Sequence, residues 1–122
     1  MLLAQGVGIV QMPCPELCCL GLDRGDPAGA QRDVVVENTR IRAEMQKADP
    51  NARLELLVDY VMLQIAEYRA HGFRVLGILG ANRSPCCGVQ TTSMDDGRYR
   101  ERACLWQSCT PACEKMAGTT SP

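Results

Sequence analysis

Two short apolar runs, Val7-Gly8-Ile9-Val10 and Val75-Leu76-Gly77-Ile78-Leu79, each lead into a turn that carries cysteine: Pro13-Cys14-Pro15-Glu16 and Ser84-Pro85-Cys86-Cys87-Gly88. Runs this short, rich in Val, Ile and Leu and bounded by Gly or Pro, predict buried strands. Helical sequence lies between them. Strand, loop, helices, strand is the order of an α/β fold, because parallel neighbours need a crossover and helices supply it, so the chain is expected to form a three-layer, Rossmann-like parallel sheet. Ligands in such sheets bind beyond the carboxyl ends of the strands. Both cysteine turns are therefore expected on one edge of the sheet, although far apart in sequence.

The segment from Gly21 to Arg32 is rich in Gly, Asp and Pro and reads as a surface loop, after which Asp33 caps a helix over Val34 to Lys47. Val34-Val35-Val36 also fits a strand, and both readings stand at this point. Asp49-Pro50-Asn51 begins a long helix that Gly72 stops. Leu54, Leu57, Val58, Val61, Ile65 and Tyr68 recur at three- and four-residue spacing and share one face of it. Beyond Thr91 the pattern is less regular: Arg98 to Gln107 reads as a short helix, and Ser108 to Pro122 should fray. The expected organisation is an α/β domain over residues 1–92 and a divergent, partly disordered tail over 93–122.

A chain of 122 residues is long enough to bury one core without disulfides. Its formal net charge of −1, spread along the chain, marks no surface for nucleic acid or an anionic membrane. No apolar run is long enough to span a bilayer and the N-terminus lacks signal-peptide features, so the expected compartment is the cytoplasm. Eight cysteines in a reducing compartment point to metal or catalysis. Roughly half of them are expected to be ordinary buried cysteines.

Cys14 sits between two prolines that stiffen its turn, with Glu16 two residues on. The plainer alternative is a buried turn cysteine. Ser84-Pro85-Cys86-Cys87-Gly88 follows Gly80-Ala81-Asn82-Arg83, and the glycines let the backbone approach a ligand while loop amides and Arg83 favour a thiolate. Adjacent cysteines seldom point the same way, so one of Cys86 and Cys87 is the expected ligand. An incidental pair on a surface loop is the alternative. Cys18 and Cys19 read as packing residues, His71 as a residue placed against a helix dipole, and Asp95-Asp96 as a solvated turn. Arg24 either anchors a substrate or faces solvent. Cys104, Cys109 and Cys113 read as part of a frayed tail, with zinc binding or replacement of a cluster ligand as the alternative.

At Gly6 to Leu17, Leu20 to Arg24, Val75 to Gly80 and Ser84 to Val89 the chain resembles the thiouracil desulfidase-related proteins of the DUF523 type. The resemblance runs over roughly residues 2 to 92, and its two motifs together are more specific than a lone cysteine pair. It implies a 4Fe–4S cluster held by three cysteines, with one iron left open for the sulfur of a thiocarbonyl small molecule such as a thiolated pyrimidine. The implied metal ligands are Cys14 and Cys87, with Gly88 beside the cofactor. Cys86 replaces a serine of the usual motif. Ser84 matches a position for proton transfer or substrate contact and Glu16 the acidic residue after the ligand, so both are the implied catalytic residues. The first cluster cysteine of the family lies on an earlier strand that this chain does not show, which makes the chain look truncated at its start. Self-association or marginal stability is then expected. A non-catalytic metal-binding or partner-binding module, a remnant of that family, is the competing expectation.

Overall fold

The computed structural model describes residues 1–89, 92–94 and 97–99. Its helices are α1 (Pro15–Leu20), α2 (Val34–Met45) and α3 (Ala48–Ala70), with single 3₁₀ turns at Leu3–Gln5 and Gly29–Gln31. Two three-residue strands, β1 (Thr92–Met94) and β2 (Gly97–Tyr99), follow.

Local signals account for the helix ends. Pro15 is the first residue of α1, where its fixed φ suits a helix and its missing N–H costs nothing. Gly21, at φ 90°, closes α1 with its N–H on the Leu17 carbonyl. Asp33 caps α2 by accepting from the Val35 N–H at 2.9 Å, so Val34-Val35-Val36 is helical and not a strand. Helix α3 starts after Lys47, which gives no side-chain cap, and Gly72 at φ 86° turns the chain away beyond its end.

The three helices pack on one another around a small, sulfur-rich core. Cys19 of α1, Ile41 and Met45 of α2, and Leu54 and Val58 of α3 meet Cys86 from the turn after Ser84, with Met12, Leu20, Met62 and Val89 around them. Arg53 ties α3 to α1 by donating from Nη1 to the Cys19 carbonyl at 3.1 Å. Leu54, Val58 and Val61 of the expected α3 face are buried and Leu57 and Ile65 half-buried, while Tyr68 leaves the core and stacks edge-on against Phe73.

Among the described residues the expected parallel sheet is absent, which overturns the Rossmann-like α/β assignment. Val7–Val10 and Val75–Leu79 belong to no strand. Apart from the Val7 N–H on the Leu2 carbonyl, residues 7–13 and 74–80 make no backbone–backbone hydrogen bond among the described residues. Both runs are largely exposed, Ile9 at 61% and Leu79 at 78%. The described strands instead form one antiparallel pair, with Thr92 opposite Tyr99 and Met94 opposite Gly97. The physical reason is that β-branched composition favours extended backbone, whereas a strand exists only where a neighbour supplies the ladder. The helix expected over Arg98 to Gln107 meets β2 at its start, and the remainder lies outside the described residues.

Candidate functional site

Without a sheet edge to gather them, the two cysteine turns are brought together by the helical core. Cys14 is the residue before α1 and is exposed, while Cys19 at the far side of that short helix is buried at 1%. Cys86, 0% exposed, belongs to the same core cluster as Cys19. This anchor seats the Ser84–Gly88 turn against the helices and leaves Cys87 half-buried at its surface. Burial raises the Cys19 thiol above its ordinary value, with Cys18 adding to it, so Cys19 is a packing residue as its sequence reading held. Cys18 is exposed and does not pack.

Ser84 organises its turn. Its hydroxyl oxygen accepts from the Cys86 N–H at 3.3 Å and the Cys87 N–H at 3.1 Å, and the Cys87 thiol donates to it at 3.1 Å. Ser84 therefore orients the Cys87 sulfur. Arg83 before it holds φ at 71°, a left-handed conformation that non-glycine residues adopt sparingly. Gly88 is buried under the turn, and Gly80 lies so close to the turn's backbone that an added Cβ would fall on the Cys87 carbonyl oxygen.

Glu16 and Ser84 line a common open cleft of about 870 Å³. Its lining comes from the loop that carries Asp23, Arg24 and Asp26, from α2 with Glu37, and from Ala81–Pro85. Arg24 spans the cleft's edge by donating from Nε to Glu16 Oε2, an ion pair whose carboxylate side is 13% exposed. That hydrogen bond holds the Arg24 guanidinium above its ordinary pKa against the opposing effect of burial, with the charges of Glu16, Cys14 and Glu37 adding to it. Arg24 therefore does not simply face solvent.

A second set of charges fastens the loop to α2. Arg32 donates to Asp26 and to Glu37, and Arg40 donates to Glu37 through both Nε and Nη2. The Arg40 hydrogen bond first, and behind it Arg32, hold the Glu37 carboxyl below its ordinary 4.5 against desolvation. Arg32 likewise holds Asp26 below 3.8, with the Ala28 N–H helping. Carboxyls lowered in the folded state add stability that is complete above their unfolded values and is lost as pH falls through the folded ones. Acid should therefore release this loop: the urea midpoint should fall as pH drops below about 4.5, and fall less steeply in Glu37→Gln, whose contribution is already gone. Equal slopes in the two chains would show that the clamp adds nothing.

Among the described residues no three His, Cys, Asp or Glu side chains form a metal-binding group. Cys14 and Cys87 are the reachable thiols of the two turns, whereas Cys19 and Cys86 are sealed in the core. The described residues thus assemble no three-thiolate set, and Cys104, Cys109 and Cys113 lie outside them. Asp95 and Asp96 lie outside as well. His71 accompanies the end of α3, its Nδ1 2.9 Å from the Glu67 carbonyl and far in sequence from either turn. Sequence reading passed over Glu37, Arg32 and Arg40; the only signal was the Glu37/Arg40 spacing of three on a helix, which marks ordinary surface pairs equally well.

Fold and site together define a small helical core carrying a charged cleft with thiol-bearing turns at its edge. No family model, curated protein or solved structure matches the chain. No helix among the described residues is long and apolar enough to cross a membrane.

Proposed function

We propose that the cleft is the substrate site of an iron–sulfur-dependent desulfidase, which replaces the sulfur of a thiocarbonyl small molecule, such as a thiolated pyrimidine, by the oxygen of water. The observation that carries this reading is that Glu16 and Ser84, which the motif resemblance makes catalytic, line one cleft although they lie far apart in sequence, with the Cys87 thiol bonded to Ser84. The lining has both signs of charge, which suits a polar heterocycle better than a polyanion. Cys14 and Cys87 would hold a 4Fe–4S cluster at the cleft's edge, with a further ligand from outside the described residues. Such a cluster, when bound, supplies a Lewis-acidic iron soft enough to prefer sulfur.

The chain's own groups have distinct parts. Ser84 orients the Cys87 sulfur, and the Arg24 guanidinium fixes the Glu16 carboxylate. Glu16 takes one proton from water as the water oxygen bonds to the thiocarbonyl carbon and returns it to sulfur as the carbon–sulfur bond breaks; the added hydroxyl gives up the second proton as the carbonyl forms, and sulfur leaves as hydrogen sulfide. The overall change is hydrolysis, with no oxidant consumed. Anaerobic reconstitution with iron and sulfide should give a coloured protein that releases sulfide from a thiolated pyrimidine.

A second reading has its own support. With Ile9, Val10, Val75, Leu76 and Leu79 exposed, the chain also fits a non-catalytic metal-binding or partner-binding module whose apolar runs meet a partner. Zinc in the purified protein with no sulfide release after reconstitution would favour that module over the enzyme.

A further inference from the structure

We propose that Glu37 is a positioning residue for the cleft, setting the Arg24–Glu16 pair through Arg40. The inference rests on the role given above to Glu16, and it follows a continuous path of hydrogen bonds. The Glu37 carboxylate, 13% exposed, holds the Arg40 guanidinium at Nε, 3.0 Å, and at Nη2. The same Nη2 donates to the backbone carbonyl of Arg24 at 3.1 Å. Arg24 lies at φ 56°, a left-handed conformation disfavoured for a residue with a Cβ, so its peptide needs an outside hold. Its side chain then reaches Glu16.

Two further features make Glu37 the hub and not one surface charge among several. An added Cβ at Gly29 would fall on Glu37 Oε1, so the 3₁₀ turn at Gly29–Gln31 closes directly over the carboxylate. Arg32 binds Glu37 from that turn's far end at 3.1 Å and Asp26 from the loop. The loop that carries Arg24 is thus held at both ends by one carboxylate. An aspartate, shorter by a methylene, cannot keep both guanidinium contacts and the seat under Gly29.

Side-chain hydrogen exchange by NMR tests this on the intact chain. In the unmodified protein the Arg24 Nε–H should exchange at least ~tenfold more slowly than that of exposed Arg74, reflecting its hydrogen bond to Glu16. Glu37→Gln and Arg40→Met should each bring Arg24 to the Arg74 rate while circular dichroism keeps its helix signal. Glu16→Gln should also release Arg24 yet leave the Arg40 Nε–H protected on Glu37, a direction of effect that general loosening would not produce. Equal rates for Arg24 and Arg74 in the unmodified chain overturn the proposal, and that measurement does not depend on any variant folding. Retained Arg24 protection in Arg40→Met overturns it too. Sulfide release is read separately: a chain with the full exchange pattern but no turnover sinks the desulfidase reading and leaves the positioning role intact.

Discussion

Cys87→Ser should leave the chain folded and remove most of the iron that anaerobic reconstitution adds, whereas Cys86→Ser should keep the iron and lose stability. The two thiols are neighbours in sequence and opposites in surroundings. Cys87 is half-buried with its sulfur on Ser84, so exchanging it for a hydroxyl costs little folding energy and removes a soft ligand. Cys86 is 0% exposed among Cys19, Met45 and Leu54, and a hydroxyl placed there costs about 1–3 kcal/mol of desolvation. For a domain of this size that is a fall in Tm of roughly 5–20 °C. Iron per chain and thermal unfolding, measured on both variants, check it. Equal iron loss in the two would mean that the adjacent thiols are not divided between ligand and core.

Gly80→Ala should destabilise the protein by about 1–3 kcal/mol and reduce iron retention, while Gly77→Ala should do neither. The added methyl at position 80 would fall on the Cys87 carbonyl oxygen and on Cγ2 of Val89, and the first of these is backbone that cannot swing aside. The turn bearing Ser84 and Cys87 must then move off its seat. At Gly77 nothing stands within 4 Å of the same methyl, so that substitution adds an ordinary exposed side chain to an extended segment. Urea unfolding and iron content of the pair settle the matter. An unperturbed Gly80→Ala would mean that the close approach of this segment to the Cys87 turn is not required.

Helices α2 and α3 were legible because their signals are local, whereas the short α1 was read as a turn and loop. Asp33 caps α2 as its position implied, and the face of α3 could be read from Leu54, Val58 and Val61 because helix periodicity decides which side chains share a stripe. The sheet failed for the complementary reason. Val7–Val10 and Val75–Leu79 have the composition of strands, but composition carries no information about what lies beside them, and among the described residues nothing pairs with either run. Convergence of the two cysteine turns was expected for the wrong cause: a parallel-sheet edge was to gather them, and buried Cys19 and Cys86 meeting in one core gather them instead.

The loop clamp was illegible altogether. Asp26, Arg32, Glu37 and Arg40 are ordinary charges in an ordinary loop and helix until Gly29 closes over Glu37 and Arg40 reaches the carbonyl of Arg24. The sequence by itself determined where α2 begins, which face of α3 is apolar, and that Cys14, Ser84 and Cys87 stand in or beside turns, since proline, glycine, caps and periodicity act within a few residues; it did not show α1, which takes in Glu16, nor that α3 starts at Ala48, ahead of Asp49. Only the tertiary structure decided that Cys86 is core and Cys87 is not, that the apolar runs pair with no strand among the described residues, and that Glu16 and Ser84 share a cleft. Those outcomes depend on contacts between distant segments, whose energies come from burial and geometry that no local pattern encodes.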